Sequence, residues 1–321
     1  RFRPPYIPLS LDAVVGSQIG KNLKPTRLTP THNWAKANGA SFTETGLWLR
    51  AEWYSKKNEN KWRESVDREV ISVRNSVGFC DVSTLGKIDI QGKHAQDFIN
   101  KIYCNGFAKL PVGKVRYGLM LREDGIVMDD GTTARISENH FIMTTTTVNA
   151  ESVYRHLEFC HQCLWPEMDV HLISTTDAWA QIAIAGPKSR KIMSKIVDKQ
   201  FDISNENFPF MACKELTICG GITARLFRIS FSGELAYELS IPTQYASSLL
   251  NYLMEVGKED NIVPYGTEAL GVMRIEKGHA AGAELNGTIS ALNLNMGKMV
   301  SPKKDSIGTV SYTHLRAHET D

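Results

Sequence analysis

The chain has 321 residues, more than one small hydrophobic core needs, and this length predicts two or three packed units. Its hydrophobic content is 42% and its charged content is 22%, as is typical of soluble globular proteins. A formal net charge of +2 gives no electrostatic reason for a nucleic-acid or membrane partner, and no apolar run reaches the ~20 residues of a membrane span. Because the start also lacks a secretory signal, we expect a cytoplasmic protein.

The first third of the chain begins with a proline-rich stretch over residues 1–32, which predicts an extended arm. The globular pattern starts at residue 33. Apolar residues at helical spacing predict helices over 64–79 and 94–104, and alternation predicts a strand over 87–90.

The segment 115–131, VRYGLMLREDGIVMDDG, predicts a hairpin because Asp124-Gly125 lies between two apolar runs. The second run ends in Asp129 and Asp130. Since neighbouring side chains of a strand point to opposite faces, we expect one aspartate to face the interior and the other solvent. A buried carboxylate is costly unless it binds or catalyses something, although a solvated hairpin end is an equal alternative here.

The remaining elements are short and mixed. We expect strands over 141–147, 170–174, 179–185 and 236–241, helices over 151–164, 188–197 and 245–256, and a hairpin of 214–218 with 223–230. Without regular alternation of strand and helix, this order favours an α+β fold over a doubly wound sheet. Residues 306–321 break the pattern and resemble a translated sequencing adapter, so we expect a non-native tail there.

Metal and redox motifs find little support in the sequence. Cys160 and Cys163 have CxxC spacing, but no second CxxC follows, and Cys160 fits the buried side of a helix. There is no GxGxxG after a strand and no HExxH. We therefore expect no metal site and no dinucleotide site in this chain.

A second candidate carboxylate lies in the segment 230–238, SFSGELAYE, where Glu238 falls inside a strand. A buried carboxylate pairs well with an aminopyrimidine edge, which offers two parallel N–H donors. The alternative is an ion pair with Arg228 or Arg274. The run of threonines over 144–147 would place hydroxyl groups at another strand end.

Taken in order, the segments CDVSTLGKIDIQG, VRYGLMLREDGIVMDDG, WAQIAIAGPKS, RISFSGELAYE and MRIEKG resemble the glycine-cleavage T-protein family of folate-binding aminomethyltransferases. The resemblance runs from about residue 41 to residue 305. Within that family, the segments RFRPPYIPLSL, MTTTT, FPFMA and YGTEA are similar to the oxidase branch, the heterotetrameric sarcosine oxidases.

The resemblance implies an α+β cloverleaf of interleaved domains around a central folate site. The folate-binding region would cover 33–305, with one subdomain formed by 33–85 plus 172–275 and another by 86–171 plus 276–305. The family's C-terminal β-barrel domain would be missing.

The resemblance also implies roles for individual residues. Asp129 matches the family's catalytic aspartate. Thr146 stands where the family has an asparagine, so the contact that this asparagine makes in the family would differ here. The implied folate-binding positions are Glu238, Phe231, Tyr117, Leu85, Thr146 and Arg274.

The implied reaction uses tetrahydrofolate in this chain, while flavin (FAD and FMN) and NAD would sit elsewhere in a complex with other subunits. Oxidation of sarcosine gives an iminium, which tetrahydrofolate captures as methylenetetrahydrofolate with release of glycine; hydrogen peroxide forms at the flavin. The alternatives are a stand-alone aminomethyltransferase, a dimethylglycine-oxidising enzyme, a non-catalytic folate-binding module, or an α+β domain without a ligand.

Overall fold

The structure is a computed structural model and describes residues 27–282 and 284–319. Its strands are β1 (Arg27–Leu28), β2 (Ala40–Thr45), β3 (Trp48–Tyr54), β4 (Gly78–Asp81), β5 (Gly86–Gln91), β6 (Lys114–Leu121), β7 (Val127–Ser137), β8 (His140–Thr145), β9 (His171–Ser174), β10 (Trp179–Ala185), β11 (Cys213–Ile218), β12 (Ile222–Phe227), β13 (Ala236–Pro242) and β14 (Val263–Pro264). Its α-helices are α1 (His32–Ala37), α2 (Trp62–Asn75), α3 (Ala95–Ile102), α4 (Ala150–Phe159), α5 (Ser189–Ile196), α6 (Ala246–Val256), α7 (Thr267–Lys277) and α8 (Thr309–Glu319). A π-helical turn, Cys160–Leu164, extends α4.

Within the described residues the strands form three sheets, ordered β1-β3-β2, β11-β12-β13-β10-β4-β14 and β6-β7-β8-β5-β9. Pairing is antiparallel except between β1 and β3 and between β14 and β4. This mixture of antiparallel sheets and separate helices confirms the α+β prediction. None of the described helices combines the length and the apolar character that a bilayer crossing requires.

Helices cover one face of each large sheet. That face is apolar because alternate side chains of a strand point to the same side. Tyr237 and Leu239 belong to the core that β13 forms with α5 and α6. Ile88 and Ile90 of β5 pack in a second core with α3 and α4. The opposite face of the six-stranded sheet carries small residues of β10 and β13 and packs against α2 and α7.

An ion pair joins the five-stranded and six-stranded sheets. Both terminal nitrogens of Arg225 in β12 donate to the two carboxylate oxygens of Asp89 in β5, each at 3.1 Å. His140 Nε2 lies 2.9 Å from the same carboxylate, and the Arg225 guanidinium lies 4.2 Å from the centroid of the Trp179 ring. Burial opposes ionisation of Asp89, but the hydrogen bonds from His140 and Arg225 hold its pKa below the ordinary value.

The predicted hairpin exists, but its second strand is longer than expected. Asp129 and Asp130 pair with Met120 and Leu119 near the start of β7, so the expectation that they end the strand is wrong. The strand continues to Ser137 because its second half pairs with β8 as well as with β6.

Other predicted boundaries also move. The helix expected over 64–79 ends at Asn75, because Ser76 leaves the helical conformation and residues 78–81 join the six-stranded sheet as β4. The strand expected over 179–185 has those bounds as β10. Strands β2 and β3 and helix α7 were not predicted.

The two ends of the chain are described only in part. Residues 1–26 of the predicted arm and residues 320 and 321 of the predicted tail lie outside the described residues. Arg27 and Leu28 pair with β3, and Thr31 is buried. In α8, Tyr312 packs in a core with Leu119 and Val127. The interleaved subdomain boundaries stay a prediction.

We predict that Asp89→Asn lowers the free energy of unfolding by about 3–5 kcal/mol, because it leaves the buried Arg225 charge without its carboxylate. Urea denaturation at pH 7 measures this change. Since the pKa of Asp89 is lowered in the folded state, the wild-type contribution is present above the unfolded pKa of about 4 and is lost as the pH falls through the folded pKa.

Glu215→Gln is the matched control, because Glu215 accepts from Nε of the same arginine but its side chain is 44% exposed. Its effect should stay below about 1 kcal/mol. Equal losses in the two variants would contradict the importance of the buried pair.

Candidate functional site

Asp129 is completely buried, and hydrogen bonds occupy both of its carboxylate oxygens. The Thr146 hydroxyl donates to Oδ1 at 2.6 Å, the Thr146 backbone N–H donates to Oδ2 at 3.1 Å, and Asn149 Nδ2 donates to Oδ1 at 3.1 Å. Burial raises the pKa of Asp129, and these donors offset part of the rise. The arrangement fastens β7 to the segment between β8 and α4.

Asp130 is 9% exposed, so the expectation that one aspartate faces solvent is wrong. The aspartates alternate as strand neighbours do, but both faces of β7 are covered at this point. The Tyr117 hydroxyl donates to Asp130 Oδ2 at 2.6 Å. Burial raises the pKa of Asp130 to about 6; the bond from Tyr117 opposes this rise and the nearby Asp129 charge adds to it.

Glycine next to the aspartates permits this geometry. A Cβ at Gly131 would overlap the carbonyl oxygen of Thr144, so only glycine lets β8 approach β7 this closely. The approach lets Thr144 Oγ1 accept from the Thr132 backbone N–H at 3.0 Å and places Thr146 beside Asp129. The glycine that follows the two aspartates is thus explained by the local structure.

Glu238 is partly buried on β13, with its side chain on the face that carries the small residues. Gln181 Nε2 donates to Glu238 Oε2. Burial raises the pKa of Glu238 to about 7, while Gln181 and the charge of Lys87 oppose the rise. The alternative of an arginine partner is wrong within the described structure, because Arg228 donates to the Ala236 carbonyl and Arg274 to Glu284.

A chain of contacts links the two carboxylate regions. Thr147, next to Thr146, has its hydroxyl 2.9 Å from that of Thr84 in the connection between β4 and β5. Lys87 Nζ donates to the carbonyls of Ser83 and Leu85 at 2.8 and 3.0 Å. The segments that carry the predicted positions Leu85 and Thr146 are therefore in contact, and the charge of Lys87 acts on Glu238.

Two polar atoms near Glu238 have no hydrogen-bond partner among the described residues. They are Oε1 of Gln181 and the hydroxyl of Tyr265, and each side chain is 1% exposed. Our sequence analysis missed Gln181, Lys87 and Tyr265. A signal existed for Gln181, since it is a lone polar residue between apolar neighbours of a strand, whereas Lys87 is one of three alternating polar residues in its strand.

Phe231 and Arg274 belong to a neighbouring surface region. Phe231 is 36% exposed and stacks on His279 with ring centroids 5.6 Å apart. His279 Nδ1 lies 3.0 Å from the Phe231 carbonyl oxygen. Arg274 donates to the His279 carbonyl at 3.2 Å and to both oxygens of Glu284, so it orders the segment that carries His279.

Two surface cavities have linings that include none of these carboxylates. The smaller, of about 120 Å³, is lined by residues that include Trp48, Ser83 and Trp179. The larger, of about 520 Å³, lies beside α5 and α6, and its Asp198 is already bonded by Thr217 and the Gly220 N–H. Gln181 Oε1 is one of several buried polar atoms without a partner among the described residues, and it belongs to the side chain that is bonded to Glu238. We therefore place the candidate site at Glu238.

Comparison with known proteins identifies the family. Residues 31–304 match the GCVT N-terminal domain, and the chain belongs to that family. The solved structure of glycine cleavage system aminomethyltransferase T from Bartonella henselae has the same fold, with a TM-score of 0.75 at 21% identity over 91% of this chain and 75% of that one. These findings confirm the family prediction and the predicted fold class.

Individual relatives show a closer similarity than the family match does. The chain is 57% identical over 309 residues to sarcosine oxidase subunit alpha of Rhizobium meliloti (strain 1021), covering 96% of this chain and 31% of that subunit. It is 44% identical to the subunit of the same name from Corynebacterium sp. (strain P-1), covering 97% and 32%. An aminomethyltransferase from Chloroherpeton thalassium is 31% identical, covering 77% of this chain and 66% of that protein. The chain thus spans about a third of the alpha subunits that it matches.

We predict that Asp130→Asn raises the free energy of unfolding at pH 8 by about 2–3 kcal/mol and has little effect at pH 4. The folded pKa of about 6 lies above the unfolded value, so this carboxyl contributes stability below about pH 4 and loses it as the pH rises through 6. Urea denaturation at the two pH values tests the sign.

The matched variant is Asp129→Asn. It should lower stability by about 1–3 kcal/mol, because an amide group would face the buried donors of Thr146 and Asn149. A destabilised Asp130→Asn at pH 8 would refute the assigned cause of the raised pKa.

Proposed function

We propose that this chain is the folate-binding part of a sarcosine oxidase alpha subunit. The observation that carries the proposal is a pair of carboxylates in two different sheets, Asp130 and Glu238, whose burial raises both pKa values and whose bonding capacity is only partly used. Perturbed carboxylates of this kind are typical of functional sites. The relatives named above support the choice of oxidase.

Tetrahydrofolate fits the chemistry of the hydrogen-bonding groups at this site. The Glu238 carboxylate and the unpaired Gln181 Oε1 are adjacent acceptors, which suit the N–H donors of a pterin edge. Phe231, matched by resemblance, would offer the exposed part of its ring as a stacking surface for the pterin. Arg274 would act indirectly, through the segment that holds His279 against Phe231.

The remaining predicted positions take supporting roles in this proposal. Leu85 would contribute its side chain to the lining of the folate site, and Lys87 holds its carbonyl in place. Tyr117 would orient Asp130 through its 2.6 Å hydrogen bond. Thr146 spends its hydroxyl and its N–H on Asp129, so we assign it to positioning that carboxylate.

We assign the proton-handling role to the aspartate pair, and within it to Asp130. Asp129, the residue matched by resemblance, accepts three hydrogen bonds, two at Oδ1 and one at Oδ2. Asp130 keeps one oxygen outside the hydrogen bond with Tyr117 and has a pKa near 6, suited to accepting a proton at neutral pH. Asp129 then holds the strand in place.

When bound, tetrahydrofolate supplies the amine nitrogens that take up the one-carbon unit of the sarcosine-derived iminium as methylenetetrahydrofolate, leaving glycine. The chain's own residues would orient that edge through Glu238 and keep water from the buried carboxylates. Asp130 would accept a proton from a folate amine nitrogen and pass it to the nitrogen of the departing glycine. In this proposal the flavins, FAD and FMN, and NAD are held elsewhere in a cytoplasmic complex with the other oxidase subunits.

We predict that Asp130→Asn, in the complete oxidase, lowers the rate of methylenetetrahydrofolate formation by about 100-fold or more, because a proton acceptor is lost. Hydrogen peroxide release from sarcosine without folate should stay at the wild-type rate. Single-turnover assays of both products measure this split. Asp129→Asn, compared at matched folded protein, tells which aspartate acts: a selective loss in that variant alone would return the role to Asp129.

We also predict that Glu238→Ala weakens tetrahydrofolate binding by about 1–3 kcal/mol, the usual penalty for unpaired hydrogen-bond donors. Anaerobic calorimetric titration of the chain measures it. Glu234→Gln serves as control, because Glu234 pairs with Arg74 instead. Wild-type affinity in Glu238→Ala would remove this residue from the site. Folate binding without any coupling in the first assay would instead support a non-catalytic binding module.

A further inference from the structure

Gln181 is a polar residue in an otherwise apolar strand, and its position is fixed by the sheet. It pairs with Ser240 in the register of β10 and β13, while Ala183 pairs with Glu238. Gln181 and Ala183 share a face of β10, so the Gln181 side chain lies diagonally across from Glu238. Its Nε2 donates to the Glu238 carboxylate, which fixes the orientation of the amide group.

The fixed amide leaves one atom unused. Oε1 of Gln181 makes no hydrogen bond to any described residue, although the residue is only 1% exposed. Leaving a buried acceptor unpaired is costly, and natural proteins do so rarely. The cost disappears if a bound molecule donates to Oε1 beside the group that binds Glu238.

Tyr265 supplies a second polar group without a hydrogen-bond partner. Its backbone N–H donates to the Phe79 carbonyl at 2.9 Å, and its ring fills the space left open by Gly78. Its hydroxyl has no partner among the residues described. Tyr265 belongs to the same cluster as Ala183 and Ala236, on the face of the sheet that carries Glu238. Removing the glycine or shifting β14 would displace this hydroxyl.

Resting on the proposed function, we infer that Gln181 and Tyr265 are two further recognition groups of the folate site. Glu238 accepts from the ring N–H and one hydrogen of the 2-amino group, Gln181 Oε1 accepts the second hydrogen of that amino group, and the Tyr265 hydroxyl donates to a ring acceptor. The three groups together select a fused pyrimidine that carries an exocyclic amino group. Lys87 stays outside this set, because its Nζ is bonded to the Ser83 and Leu85 carbonyls.

The first test compares wild type and Gln181→Met, a variant of similar size without the acceptor, by anaerobic calorimetric titration of the chain. Tetrahydrofolate should bind about tenfold more weakly to the variant. A tetrahydrofolate analogue with a methyl group in place of the 2-amino group should bind both proteins equally. Equal tetrahydrofolate affinity, or the same loss for both ligands, overturns the contact between Gln181 and the amino group.

The second test uses Tyr265→Phe, which removes only the hydroxyl and is expected to fold. Tetrahydrofolate affinity should fall about fivefold to tenfold, while the midpoint of urea denaturation should rise because an unpaired buried hydroxyl is gone. Tyr237→Phe is the matched control, since Tyr237 lies next to Glu238 on β13 and its side chain packs in the core on the opposite face. Unchanged affinity in Tyr265→Phe overturns the role of its hydroxyl.

Glu238→Ala separates the two levels of the argument. If it binds tetrahydrofolate as tightly as wild type, the proposed function fails at this site. If it binds more weakly while Gln181→Met and Tyr265→Phe bind as wild type, the folate site stands and only the two further groups are removed from it.

Discussion

The ion pair between Asp89 and Arg225 is the constraint on which the candidate site depends. It is the point where a charged group of the five-stranded sheet meets a charged group of the six-stranded sheet, and the two hydrogen bonds fix distance and angle together. Lys87 lies two residues before Asp89 on the same face of β5, and Glu238 pairs with Phe227, two residues after Arg225. Holding the pair therefore also holds the charge of Lys87 near the Glu238 carboxylate.

The degree of hydrogen bonding distinguishes carboxylates that support the fold from those available for chemistry. Asp89 and Asp129 accept from several donors, and each fastens one element to another. Asp130 and Glu238 each have one described side-chain partner and a raised pKa of about 6 and about 7. Keeping such groups in the folded state costs stability at neutral pH, which a fold without a ligand would have no reason to retain.

The sequence predicted local structure better than it predicted contacts. The Asp-Gly turn and the apolar runs around it were sufficient for the hairpin, and the strand predicted over 179–185 has the bounds of β10. Alternation also placed the two aspartates on opposite faces, but it carries no information about what covers each face. Both are buried because the segment between β8 and α4 covers one side while Tyr117 covers the other.

The pairing of Gln181 with Glu238 shows why the rest of the site was out of reach. These residues are 57 positions apart, and they meet only because β10 and β13 are neighbours in a particular register. A slip of one residue would turn Gln181 toward the core of α5 and α6. The sequence pattern shows that a polar residue is present in the strand. Its role depends on the order of the strands in the sheet, which local patterns do not encode.

The two carboxylates belong to different sheets, which suits the separate tasks of recognition and proton handling that we propose for them. Glu238 belongs to the six-stranded sheet and Asp130 to the five-stranded sheet, so each carboxylate has its own set of neighbours and its own pKa. Two carboxylates in direct contact would instead share one proton and titrate together. In the proposed function, separation into two sheets leaves Glu238 to bind donors and Asp130 to accept a proton, while the Asp89–Arg225 pair holds the two sheets together.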